Sequence, residues 1–186
     1  MTNSDTITTT ATINDITTTD LSAERRDLLE TLATHREFLR TTARGLTDAQ
    51  AAHRSTASAL CLGGLVKHVA HAEAGWVDFI VFGPTAMGDE SEEGYAEHEA
   101  SFQMLPGETL ESILAHYDDV ARRTDELVAT IPDLDASHPL PEAPWYEPGA
   151  RWSARRVVLH IVAETAQHAG HADIIREAID GAKTMG

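Results

Sequence analysis

Four segments of the chain carry apolar residues at steps of three and four, the spacing that stripes one face of an α-helix. No segment of comparable length alternates apolar and polar between turn signals as a strand would. The first helical segment runs from a cap at Asp20 or Ser22 to Gly45 and sets Leu28, Leu32, His35 and Leu39 on one face. Thr47 to Gln50 forms a capping box that predicts a short turn. The second segment runs from near Ser58 to Gly83-Pro84, with Leu62, Leu65, Val69, Ala72, Trp76 and Phe79 in its stripe. The third begins near Thr109, stops before Pro132 and lines up Leu110, Ile113, Leu114, Tyr117, Val120, Leu127 and Ile131. The fourth runs from near Ser153 to Asp180-Gly181, with Val157, Ile161, Ala172 and Ile175 inward. Four long amphipathic helices predict an all-α four-helix bundle.

Two connections are long. Residues 84–108 are acidic, and residues 132–152 are rich in proline and hold Trp145, Tyr146 and Trp152. Loops of this length are usually functional covers or disordered. Those three large rings would sit exposed unless they folded over something, so the second connection is expected either as a lid or as packing on the bundle end. Residues 1–20 contain nine threonines and no Lys or Arg, which predicts a disordered tail without the basic start and apolar run of a signal peptide. Residues 21–186 are then expected to form the single bundle domain.

Composition narrows the partners. With 30 acidic against 14 basic side chains the formal charge is −16, which repels nucleic-acid phosphates and anionic membrane surfaces. No stretch approaches the ~20 apolar residues that cross a bilayer, and small molecules remain the expected ligands. Cys61 is the single cysteine, so no intrachain disulfide can form, and a reducing cytoplasm is the expected location. Its apolar surroundings predict a packed thiol rather than a nucleophile.

Polar groups interrupt the core stripe of the fourth helix, where Glu164, His168 and His171 follow Ile161 at steps of three and four. A buried carboxylate must be paired, protonated or bound to a cation. Glu164 and His168 stand four apart and point the same way. His68 on the second helix flanks the apolar stripe there, and packed helices lie about 8–10 Å apart, close enough for the three side chains to meet at one ion. Three protein ligands leave positions for water and substrate, the pattern of a catalytic metal site. Blander uses exist for each residue. His53, His98, His116 and His138 are expected as satisfied or surface residues, Glu164 alone would suit a salt bridge, and His160 and His171 are rival ligands or supports. A di-iron centre would need two Glu-x-x-His pairs and further inward glutamates, for which Glu73 is the spare candidate.

At these residues the sequence resembles the DinB-like superfamily of metal-dependent bundles, in its actinobacterial branch related to mycothiol-dependent S-transferases and maleylpyruvate isomerase. Two stretches carry the resemblance: Leu62-Gly-Gly-Leu-Val-Lys-His68 followed by Trp76, and Leu159-His-Ile-Val-Ala-Glu164-Thr-Ala-Gln-His168-Ala-Gly-His171-Ala-Asp173. The resemblance implies a metal triad of His68, Glu164 and His168, with the ExxxH pair similar to the maleylpyruvate-isomerase type. His171 stands where many members have a non-ligand residue, which makes it a candidate for proton transfer, for support, or for a fourth ligand. It further implies one divalent metal, zinc first and nickel, manganese or iron as other choices, with mycothiol or another low-molecular-weight thiol as cosubstrate. The implied reaction moves that thiol onto a small electrophilic metabolite or xenobiotic, or uses it to assist an isomerisation. The alternative is a non-catalytic, stress-linked metal-binding bundle. Such bundles can form homodimers.

Overall fold

The computed structural model describes residues 21–87 and 91–184; the expected tail at residues 1–20 lies outside the described residues. Helix α1 (Ala23–Ala43) opens where Ser22 Oγ accepts the Arg25 amide, and Gly45 turns the chain away at φ 76°. The Thr47 and Gln50 capping box starts the single turn α2 (Asp48–Ala51). Helix α3 (Leu62–Phe82) begins later than the expected start near Ser58. The reason is local: Thr56 Oγ accepts the Ser58 amide and Ser58 Oγ accepts the Leu60 amide, so hydroxyls hold that stretch in bends instead of helix.

After a 3-10 turn (Gly83–Ala86), helix α4 (Glu92–Ser101) occupies the acidic span expected as a connection. Helix α5 (Leu110–Thr130) is capped reciprocally by Thr109 and Ser112. The proline-rich span contributes a small antiparallel ribbon, β1 (Ser137–Pro139) with β2 (Arg151–Ser153), in which His138 faces Trp152. Ser153 then caps α6 (Ala154–Asp180), which ends at Gly181 with φ 80°.

The four long helices form the bundle: α1 packs on α6 and α5, and α3 packs on α5 and α6. The all-α expectation holds, with the ribbon as a minor addition. Two apolar clusters fill the interior. One gathers Leu39, Leu62, Leu65, Tyr117 and Ile175, and the other gathers Leu32, Trp76, Phe79, Val128 and Ile161.

A polar layer lies between the two clusters. Arg36 on α1, only 1% exposed, donates from Nε and Nη2 to both carboxylate oxygens of Glu73 on α3, itself 2% exposed. Arg36 Nη1 also donates to Asp125 at 2.7 Å, and Thr124 Oγ1 donates to Glu73 at 2.6 Å. The sequence pattern placed His35 on the inward face of α1, but Arg36 takes the interior, because only Arg36 meets carboxylates there. His35 is half-buried against Phe38. Glu73 is thereby fully engaged and is not the spare ligand a di-iron centre would use.

Removing one member of a buried ion pair leaves a desolvated charge. Glu73→Ala is therefore expected to cost about 3–5 kcal/mol in urea unfolding, and Arg36→Met combined with Glu73→Leu to recover most of that loss.

Candidate metal centre

Packing of α3 on α6 brings His68, Glu164 and His168 together beside the polar layer. Their ligand atoms all lie within 4.8 Å of one another. Glu164 Oε1 is 3.1 Å from His168 Nε2 and 3.5 Å from His68 Nε2. His68 is 4% exposed, whereas the Glu164 side chain retains 27%, so the group opens on its carboxylate side.

The segment after α4 orients His68. Ser101 Oγ donates its proton to the His98 carbonyl at 2.6 Å, so at 3.0 Å from His68 Nδ1 it can only accept. His68 therefore carries its proton on Nδ1 and turns an Nε2 lone pair toward Glu164. The Phe102 ring stacks on the imidazole at 3.7 Å and 19°. This close docking requires Gly64 on α3, where any Cβ would collide with the Phe102 carbonyl. Gly63 likewise makes room for Met104.

Electrostatics favour a cation here. Burial pushes the His68 imidazole below its ordinary range and keeps it neutral. Hydrogen bonding with His168 is the largest cause that holds the Glu164 carboxyl well below the usual carboxylate range. A carboxylate and a neutral imidazole thus aim lone pairs at a common point.

A cavity of about 750 Å³ opens on this group. Its walls include Ala72, Gly75 and Trp76 on α3, Met87, then Glu97, His98 and Phe102 from α4 and its exit, and His160 on α6. His98, expected as a surface residue, is exposed, yet its ring centroid lies 5.4 Å from that of His68. His171 is not in the converging group and does not line the cavity among the described residues; its ring sits 5.4 Å from the His168 ring, with a buried Nδ1.

Of the two expectations for residues 132–152, packing on the bundle end holds and the lid does not, because none of the described residues there lines the cavity. Trp152 stacks on Trp76 at 4.9 Å, Tyr146 packs against the same apolar cluster, and Trp145 is 65% exposed. That connection seals the bundle end, and the acidic connection with α4 covers the site instead. Ser101 and Phe102 escaped sequence reasoning. The glycine pair in the first turn of α3 was the available signal, since glycine inside a helix marks close backbone approach.

The fold is that of the DinB-like helical bundles. A family model described as mycothiol-S-transferase matches residues 27–181, and the chain belongs to that family. A crystal structure of a conserved protein from Enterococcus faecalis is similar with a TM-score of 0.62 and 15% identity, covering 84% of this chain and 97% of that one. At that identity the likeness concerns the fold alone. No curated protein matches. Among the described residues, no helix is long and apolar enough to cross a membrane.

Imidazole nitrogen NMR is expected to show His68 as the Nδ1–H tautomer, and both Ser101→Ala and Gly64→Ala to erase that preference. An Nε2–H tautomer in the unaltered protein would overturn the orientation argument.

Proposed function

We propose that this protein is a metal-dependent S-transferase that moves mycothiol, or a closely related low-molecular-weight thiol, onto a small electrophile. The observation that carries the metal is the convergence of His68 Nε2, His168 Nε2 and a Glu164 oxygen within 4.8 Å, with the His68 proton committed to Ser101. Two imidazoles and one carboxylate suit zinc among divalent ions and leave coordination positions free. When bound, such an ion lowers the pKa of a thiol from about 8.5 toward neutrality, which makes its sulfur nucleophilic.

The chain's own residues supply the remainder. His68, Glu164 and His168 hold the ion, and Ser101 with Phe102 fixes the His68 ring. His171, behind His168 and away from the cavity, supports that ring; proton transfer falls instead to His160. Burial pushes the His160 imidazole below its ordinary range, so it is a neutral base at pH 7, and it lines the cavity one turn before Glu164. The thiol proton passes to a ring nitrogen of His160. Sulfur then bonds to the electrophilic carbon as the bond to the leaving group breaks with its electron pair, and the proton on His160 goes to the leaving group. Trp76 and Phe102 keep the near wall apolar.

The reading as a non-catalytic metal bundle would need a closed site. His171, the fourth ligand that reading calls for, stands outside the converging group, and a large cavity meets the triad.

Protein purified without chelator is expected to hold about one zinc-like ion per chain, and His68→Ala or Glu164→Ala to hold little while remaining folded. Metal-free but folded unaltered protein would refute the assignment. His160→Gln should keep the metal and lower kcat for thiol transfer about 10²–10⁴-fold; unchanged kcat would remove His160 from the reaction. Because the His160 pKa is lowered, its base form persists at neutral pH. The rate should therefore fall only as pH drops below the ordinary histidine value of about 6.5.

A further inference from the structure

We infer that the acceptor this site takes is an uncharged or cationic electrophile with an apolar body seated over Trp76 and Gly75, and that carboxylate-bearing acceptors are turned away. The inference rests on the S-transferase reading and names its substrate class.

The lining of the cavity supports it. About 750 Å³ is room for a metabolite-sized ligand beside a thiol. Among the described residues, the lining contains the carboxylates of Asp78, Glu97 and Glu164 but no Lys or Arg. Enzymes that bind carboxylate substrates usually meet them with a guanidinium or ammonium group. Cations beside lining residues are committed elsewhere, and Lys67, next to His68, pairs with Glu108 at 2.7 Å. Arg123 pairs with Asp78, and Arg156 lies 4.7 Å over the Trp152 ring, outside the lining.

Counting charge leads to the same place. A divalent ion, one ligating carboxylate, one thiolate, the thiol's proton on His160 and the carboxylate of Glu97 sum to zero, and Asp78 is neutralised by Arg123. The cavity therefore offers an anion no surplus positive charge, in a chain whose formal charge is −16. An incoming carboxylate would give up hydration to a described lining that has no ammonium or guanidinium to receive it, inside an acidic chain, whereas a neutral molecule bears no such cost.

The apolar floor is equally specific. Ala72, Ala74, Gly75 and Ala86 keep the wall beside Trp76 shallow, and a Cβ built on Gly75 meets nothing within 4 Å. Gly75 therefore faces open space, and a larger side chain there would occupy the acceptor's volume without colliding with the fold.

The test uses the zinc-loaded full chain with mycothiol and three matched acceptors: a chlorodinitrobenzene, its ring-carboxylate analogue and its ring-trimethylammonium analogue. Each rate is divided by the uncatalysed rate with the same thiol, at one pH of about 8. The neutral and cationic acceptors are expected to exceed the carboxylate by about tenfold or more in kcat/KM, and Glu97→Lys to shrink that gap. Gly75→Leu is expected to lower kcat/KM for all three with zinc content and melting temperature retained. The matching amino-dinitrobenzenes, which carry no leaving group, give the binding order directly through quenching of tryptophan fluorescence. A carboxylate that reacts or binds as well as its neutral partner would overturn the inference and leave the transferase reading intact. Absent turnover with the binding order preserved would support the inference and sink the transferase reading.

Discussion

A guanidinium that cannot lose its proton is buried at the middle of this bundle, and the arrangement of the helices follows from the need to pair it. Arg36 on α1 reaches Glu73 on α3 and Asp125 on α5, while Thr124 adds a further donor to Glu73. Three of the four long helices are thereby tied at one level. A sliding of α1 or α5 by one turn would keep apolar contacts but strand a desolvated charge, so the polar layer discriminates between registers that apolar packing alone would tolerate. The fourth helix contributes Thr165, Glu164 and His168 at the same level, between Ile161 in one apolar cluster and Ala169 in the other.

Fixing α3 and α6 at that level places the converging group, but it does not orient the His68 ring. That task falls to a segment from outside the bundle. Ser101 fixes the tautomer and Phe102 the ring plane, and both depend on the bare backbone of Gly64. Ligand position and ligand orientation thus come from different parts of the chain, one from bundle packing and the other from a docked loop. Under the proposed reading, partners of this kind tune how well the histidine serves a metal.

Much of this is legible in the sequence alone. The helix stripes and the caps at Ser22, Thr47, Thr109 and Ser153 obey local rules, and the polar residues that break the α6 stripe announce themselves by being misplaced. What escaped depends on contacts distant in sequence. Arg36 and His35 are neighbours near one edge of the α1 stripe, and the choice between them is made by carboxylates 37 and 89 residues away. Helix α4 has no apolar stripe to betray it, and it is placed by backbone docking on Gly64, which no periodicity encodes. Trp152 and Tyr146 were visible as groups needing cover, but whether they face the site or the bundle end is decided by Trp76 and its cluster. His160 and His171 are equally plausible along the helix. The position of the cavity separates them, because only His160 lines it.

The acidity of the chain, which in the sequence serves only to exclude anionic partners, would acquire a second role beside such a centre. Two imidazoles and one carboxylate would leave a bound divalent ion a net charge of one, and an acidic surround would attract the ion and lower the cost of holding it. The same surround opposes accumulation of anions, including free thiolates. Thiols at neutral pH arrive mostly protonated, with a free pKa of about 8.5, so the field does not exclude the reagent. Under the proposed reading, negative charge would appear on sulfur only within reach of the cation that stabilises it. In that reading a cationic centre in an acidic protein would confine thiolate chemistry to one place, and a neutral base in the same cavity is what that confinement would require, since the proton must leave before the sulfur can react.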